Sequence, residues 1–180
     1  LTESALIPGL DRTALFLVAI PFDEGLIVKG WGYWGVSVGV AWIGPRHTNF
    51  PDGSICAFEP RDGTWIIGDP LVQLLDLYSL WALRHLYLRM FGRWPGHQAV
   101  HWPYERLLEL NPTESCGCDH SDRLYRDCCQ KRDKEQNVVR EAVRFTLAAN
   151  GGHRSPPACV RSFVLNPSSP PRLPELIPVR

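Results

Sequence analysis

Six cysteines stand in this chain of 180 residues, and their spacing sorts them into three groups with different chemistry. Cys116, Cys118, Cys128 and Cys129 form a "CGC" hook and a "CC" pair with nine residues between them. Four soft thiolates so placed can close a tetrahedron around zinc, with every coordination position filled by protein and none left for a substrate, so the expected site is structural. Such a staple would also explain how a segment otherwise lacking a core can fold. His120, in "CDH", is a substitute ligand on paper, although a solvated histidine in a turn is the simpler reading. Cys159, in "PPACVRS", has no partner at motif spacing and reads as buried or incidental. His97 and His101 stand four apart, but Pro95 and Pro103 crowd the window and favour loop or packing roles over a helical metal pair.

The remaining cysteine, Cys56, ends the stretch "HTNFPDGSIC". Taken alone it is bland, because free cysteine is among the most buried residue types. Its neighbours change that reading. "PDG" makes a tight turn just upstream, His47 and Asn49 precede the turn, and a long capped helix follows, which puts the thiol on a loop with polar groups within reach. Cys56 is therefore the candidate nucleophile. His47 either bonds the backbone of the turn or acts as an acid or base. Asp52 serves turn geometry or faces the approach to the thiol, and Trp65 is expected to line that approach.

The elements that must position these groups follow from periodicity. Residues 13–45, "TALFLVAIPFDEGLIVKGWGYWGVSVGVAWIGP", carry β-branched and aromatic runs broken by turn residues, which predicts a three-stranded antiparallel meander. An ordered loop leads to Asp69 as N-cap, Pro70 at the first helical position and a helix closed by Gly92. That helix is apolar on most sides, so it should be covered on more than one. "YERLLEL" predicts a short helix. "RDKEQNVVREAVRFTLAAN" predicts one longer helix burying Val138, Val139, Ala142, Val143 and Phe145, and the proline-rich end is either an extended strap or a loose tail. The expected class is α+β: a meander packed on a long central helix over residues 1–110, then a zinc-stapled helical extension over 111–180.

Nineteen basic and nineteen acidic residues cancel, so no net field gathers nucleic acid or an anionic membrane, and neither partner is expected. A hydrophobic content of 44% argues for a folded chain. The opening "LTESAL" lacks the features of a secretory signal, and cysteines at metal spacing suit a reducing compartment, so a cytoplasmic location is expected.

Residues 13–92 resemble the ubiquitin-conjugating (UBC) enzymes in order and spacing: a meander, an "HPN"-like turn in "HTN", a "DGSIC" segment, a tryptophan in "GTW", and a central helix opening "GDPLVQLL". Thr48 replaces the middle proline of that turn, the interval from Asn49 to Cys56 is one residue shorter than the family's, and the family's long N-terminal helix is absent or reduced to "LTESAL". The resemblance implies that Cys56 accepts the C-terminal acyl group of a ubiquitin-like protein as a thioester and passes it to an amine. Asn49 would then hold the developing oxyanion or support the loop. The cysteine cluster is similar to the SEC-C motif, with Tyr125 at the motif's tyrosine. Both features together look like the bacterial conjugation proteins encoded beside antiphage cyclic-nucleotide synthases of CBASS type. That likeness implies a ubiquitin-like protein or a CD-NTase-type synthase as partner, with any activating enzyme a separate protein. Two other classes compete: an inactive or adaptor protein that docks a partner through its zinc segment, and a cysteine hydrolase, for which His47 lacks a companion acid.

Overall fold

A computed structural model describes residues 2–4, 13–21, 27–35, 39–58, 63–118, 123–149, 151 and 154–176, with backbone alone at 2–4 and 173–174. The fold is mixed α+β. Four strands, β1 (Thr2–Ser4), β2 (Thr13–Ala19), β3 (Lys29–Gly35) and β4 (Val40–Trp42), form an antiparallel sheet in chain order. The expected meander is β2 to β4, in a register that sets Leu17 opposite Trp31 and Tyr33 opposite Trp42. The turn "DEG" lies outside the described residues. The additional strand β1 pairs with β2 from Thr2 opposite Phe16 to Ser4 opposite Ala14. Three residues reading "TES" carry no alternation that would have marked a strand.

Two compact units make up the chain, one of residues 1–83 with 154–180, the other of residues 84–153. Helix α1 (Leu71–Phe91) begins in the first and ends in the second. Expected boundaries at 110 and 111 therefore differ from the compact units: the cysteine cluster belongs with 84–153, and the proline-rich end with the sheet.

In the first unit both faces of β2 and β3 are covered. Phe16 meets Tyr78 of α1 at 5.8 Å between ring centroids. Gly30 and Gly32 give the space: a Cβ on Gly30 would lie 2.4 Å from the Tyr78 ring, and one on Gly32 would lie 2.7 Å from Trp81. Bare backbone at alternate positions of β3 thus lets two aromatic side chains of the helix sit directly on the strand. On the opposite face, Leu17, Ala19, Trp31 and Tyr33 pack with Val160 and Val164 of α5 (Ala158–Leu165) and with Leu176 of α6 (Leu173–Leu176). Among the described residues of the proline-rich end, α5 and α6 contribute to the core. Each of Val160 and Val164, both buried, contributes roughly 1.5–3 kcal/mol on leaving water. Prolines set the ends of these short helices but do not stop the apolar pair four residues apart from docking.

The second unit holds the end of α1, then α2 (Pro103–Glu109), a 3-10 turn (Tyr125–Asp127), α3 (Gln130–Glu135) and α4 (Val138–Ala148), with α2 packed on both α3 and α4. The one longer helix expected here is two. Asn137 breaks it, accepting a hydrogen bond from the Arg140 N–H as N-cap of α4. Of the expected buried face, Phe145 is buried and Ala142 half-buried, whereas Val138, Val139 and Val143 are exposed, and Glu141 and Ala149 are buried in their place. Trp102 and Tyr104 take Phe145 between them, at 6.3 and 5.6 Å, and Arg140 and Arg144 pair with the Glu141 carboxylate, which lets that acid lie on the packed side. At the start of α1, Asp69 turns backward, its carboxylate accepting from the Ile66 N–H instead of capping the helix forward. Gly92, at φ 67°, closes α1 as expected, its N–H on Leu88 O. No helix among the described residues is long and apolar enough to cross a membrane.

Candidate functional site

The segment from His47 to Cys56 is a closed hairpin. Thr48 and Ile55 bridge across it, Asn49 N–H donates to Ser54 O at 2.7 Å, Gly53 N–H to Asn49 O, and Cys56 N–H to His47 O at 2.9 Å. Asp52 makes the tip: its Oδ1 accepts from the Ser54 N–H at 2.9 Å, the local bond that suits aspartate to such turns. Three groups tie the hairpin to β3. Ile55 N–H donates to Gly30 O at 2.7 Å, the Trp31 indole donates to Asp52 O, and Lys29 pairs with the Asp52 carboxylate at 2.5 Å.

Cys56 is partly exposed, outside any disulfide, at the C-terminal end of this hairpin. Asn49 reaches across it, its amide Nδ2 donating to Ser54 Oγ at 3.2 Å and to Ile55 O at 3.4 Å, so it already braces the residue before the cysteine. His47 sits at φ 52°, a left-handed conformation that costs a non-glycine residue about a kcal/mol or more and persists only where neighbours enforce it. Its carbonyl supplies the enforcement, accepting both from Cys56 N–H and from the Trp81 indole at 3.0 Å. Asp52 is spent on the turn and on Lys29. Trp65 is 4% exposed with its indole on Pro70 O at 3.3 Å and Phe58 against its ring, so it is packing beneath the chain and offers no open wall.

Two contributors escaped sequence reading. Trp81, counted among the core tryptophans, also uses its N–H to hold Arg46 O and His47 O, so the central helix fixes the backbone that pairs with Cys56. Tyr78, 2% exposed, has its hydroxyl pushed far above the ordinary phenol range by burial and by the nearby Cys56 thiol, which keeps it a neutral neighbour of that sulfur. Their place in "LYSLW", three residues apart on one helix face, was the available signal.

The four clustered cysteines do come together. All four Sγ atoms lie within 4.8 Å of one another, with Cys118 to Cys128 at 3.4 Å and Cys128 to Cys129 at 3.7 Å. A tetrahedron of zinc–sulfur bonds of about 2.3 Å has sulfur–sulfur edges of about 3.8 Å, so the donor set fits such an ion. Gly117, at φ 72°, forms the hook: a Cβ there would lie 2.9 Å from Val100 N, whose N–H bonds Gly117 O. Ser115 and Leu124 bridge, and Cys116 N–H donates to Arg123 O, bringing the hook to the "CC" pair. Glu114, 2% exposed, locks the preceding loop by accepting from Trp94 N–H at 2.8 Å and Gln98 Nε2 at 3.1 Å. Burial pushes the Cys116 and Cys129 thiols above their ordinary range, so a metal must displace protons to bind there. Arg132 donates to Cys129 Sγ at 3.0 Å and would offset the negative charge of a tetrathiolate. His120 lies outside the described residues. His97 and His101 are exposed on the loop before and at the entry to α2, outside any helix.

Compared with protein-family models, with curated proteins and with solved structures, the chain matches none.

Proposed function

We propose that this protein is a ubiquitin-conjugating-like acyl carrier with Cys56 as its nucleophile and with structural zinc held by Cys116, Cys118, Cys128 and Cys129. The observation that carries the reading is the hairpin itself: a partly exposed thiol whose backbone is fixed by His47 O, with an asparagine amide bonded beside it. The Cys56 thiolate attacks the carbonyl carbon of an activated protein C-terminus, presented as an acyl adenylate or as the thioester of a separate activating enzyme. The tetrahedral adduct collapses with loss of the nucleoside monophosphate or the donor thiolate, leaving a thioester on Cys56. An amine then attacks that carbonyl, the Cys56 thiolate departs, and the amine's extra proton passes to water. Asn49 would turn its amide from Ile55 O to donate to the oxyanion, a contribution worth about 3 kcal/mol where one such donor is lost. The acyl group is that of a ubiquitin-like protein or of a cyclic-nucleotide synthase C-terminus, and the setting is bacterial antiphage defence; both come from the resemblance of "HTNFPDGSIC" and the cysteine cluster to those systems.

A specific observation favours one second reading, that of an adaptor. Val139, Val143 and Leu147 stand four apart on α4 and are all exposed, an apolar stripe suited to a partner. A serine exchange separates the two. Coexpressed with its genomic neighbours, the wild-type chain should carry an adduct that thiol reductant removes, and Cys56→Ser should carry an oxyester that resists reductant and yields to hydroxide. An adaptor binds the same partner with either residue and forms neither adduct.

A further inference from the structure

Resting on the reading of Cys56 as the acyl acceptor, we infer that Arg154 is a positioning residue for the Cys56 hairpin, acting from the C-terminal end of the chain. Its guanidinium carbon lies 3.9 Å from the centre of the Phe50 ring, and its Nη1 donates to Pro45 O at 3.1 Å. The next residue continues the contact: Ser155 N–H points to Pro51 O at 3.4 Å. Gly53 leaves room for this crossing, since a Cβ there would lie 3.0 Å from the Ser155 carbonyl carbon and 3.1 Å from Pro156 N. Residues 154–156 therefore lie against the hairpin at Pro45, Phe50, Pro51 and Gly53. Beyond them α5 is anchored on the sheet by Val160 and Val164, so the covering segment has a fixed far end.

The hairpin is held from within by its own bonds and from below by β3 and α1. Within the Pro45–Phe50 limb the Trp81 indole holds Arg46 O and His47 O, the Thr48 hydroxyl donates to Pro45 O, and His47 has a positive φ. A planar cation stacked on Phe50 and bonded to Pro45 O adds a restraint at both ends of that limb. Without it, the hairpin samples conformations in which Cys56 N–H leaves His47 O and the asparagine amide loses its register with the thiol.

Hydrogen exchange of the metal-loaded chain tests this apart from any conjugation. Arg154→Ala should speed exchange at the Asn49, Gly53 and Cys56 amides by about tenfold, the loss of one charge-assisted bond and one stacked cation, with the β2–β3 ladder amides unchanged. Alkylation of Cys56 by iodoacetamide, read on its peptide, should quicken while acyl loading of Cys56 slows, a divergence that simple destabilisation does not produce. Arg154→Lys should restore part of the exchange protection, because it keeps the charge without the planar stack. Should Arg154→Ala not fold, Arg154→Lys and Phe50→Leu carry the same comparison. Exchange unchanged at the hairpin, or raised equally in the β2–β3 ladder, overturns the inference. A wild-type chain that accepts no acyl group sinks the conjugation reading instead, and the exchange ratios still decide the role of Arg154.

Discussion

Replacing Arg106 by alanine should cost the unit of residues 84–153 most of its stability. Arg106, on α2, is 3% exposed, and its partner Asp133, on α3, is fully buried. The guanidinium meets that carboxylate in a fork, Nε to Oδ2 at 2.7 Å and Nη2 to Oδ1 at 2.9 Å, while Nη1 donates to Val100 O and His101 O, both at 2.9 Å. Truncation strands a buried carboxylate, at about 3–5 kcal/mol, and leaves two carbonyls short of a donor, at about 1–3 kcal/mol in all once water reaches one of them. The expected loss is about 4–8 kcal/mol, comparable with the whole stability of an ordinary domain. Removing both charges is a different perturbation: Arg106→Met with Asp133→Leu keeps volume, strands no charge and should cost about 1–3 kcal/mol, chiefly the two carbonyls. Urea unfolding of the zinc-loaded protein, followed by amide exchange in α2 and α3, gives the two values. If the single variant loses less than about 1 kcal/mol, or the double variant loses as much as the single, the fork is not what holds α2 to α3 and the reasoning fails.

Other perturbations report on the two candidate sites. Trp81→Phe keeps an aromatic ring on Gly32 but removes the donor to Arg46 O and His47 O; it should lower stability by about 2–3 kcal/mol and quicken alkylation of Cys56, and unchanged reactivity would show that His47 is held by other means. Cobalt added to chelator-treated protein should bind one ion per chain with the intense near-ultraviolet bands of a tetrathiolate, and Cys118→Ser should weaken those bands; a weak octahedral spectrum would contradict four-sulfur ligation. Because burial holds the Cys116 and Cys129 thiols protonated, metal affinity should fall as pH falls, protons competing for the same sulfurs; titration with a chromophoric chelator at several pH values checks the sign, and flat affinity would refute it.

What could be read from residues alone was what local chemistry determines. The meander followed from runs such as "ALFLVA", α1 from Pro70 and Gly92, and the four-cysteine cluster from cysteine spacing, because each depends on neighbours in the chain. The errors fall where a distant partner decides. Val139 and Val143 promised a buried face together with Phe145, but Trp102 and Tyr104 pack on Phe145 and leave the two valines exposed. Asn137 could have been a mid-helix residue; its capping bond to Arg140 shows otherwise. The C-terminal prolines masked an apolar pair, Val160 and Val164, whose meaning lies in Trp31 and Tyr33 more than a hundred residues earlier. In the Cys56 loop, the polar residues before the thiol were legible, whereas the groups that fix it, Trp81 and Arg154, belong to other elements and have no sequence proximity to reveal them.

The central claim is that Cys56 carries an acyl group. Its most direct test is mass spectrometry of the chain recovered, under acid quench, from cells expressing it with its genomic neighbours. The account predicts an added protein or peptide mass that maps to Cys56, is released by neutral hydroxylamine, and is absent from Cys56→Ala but present in Cys159→Ala. An unmodified Cys56, or an adduct that survives hydroxylamine or persists in Cys56→Ala, contradicts it.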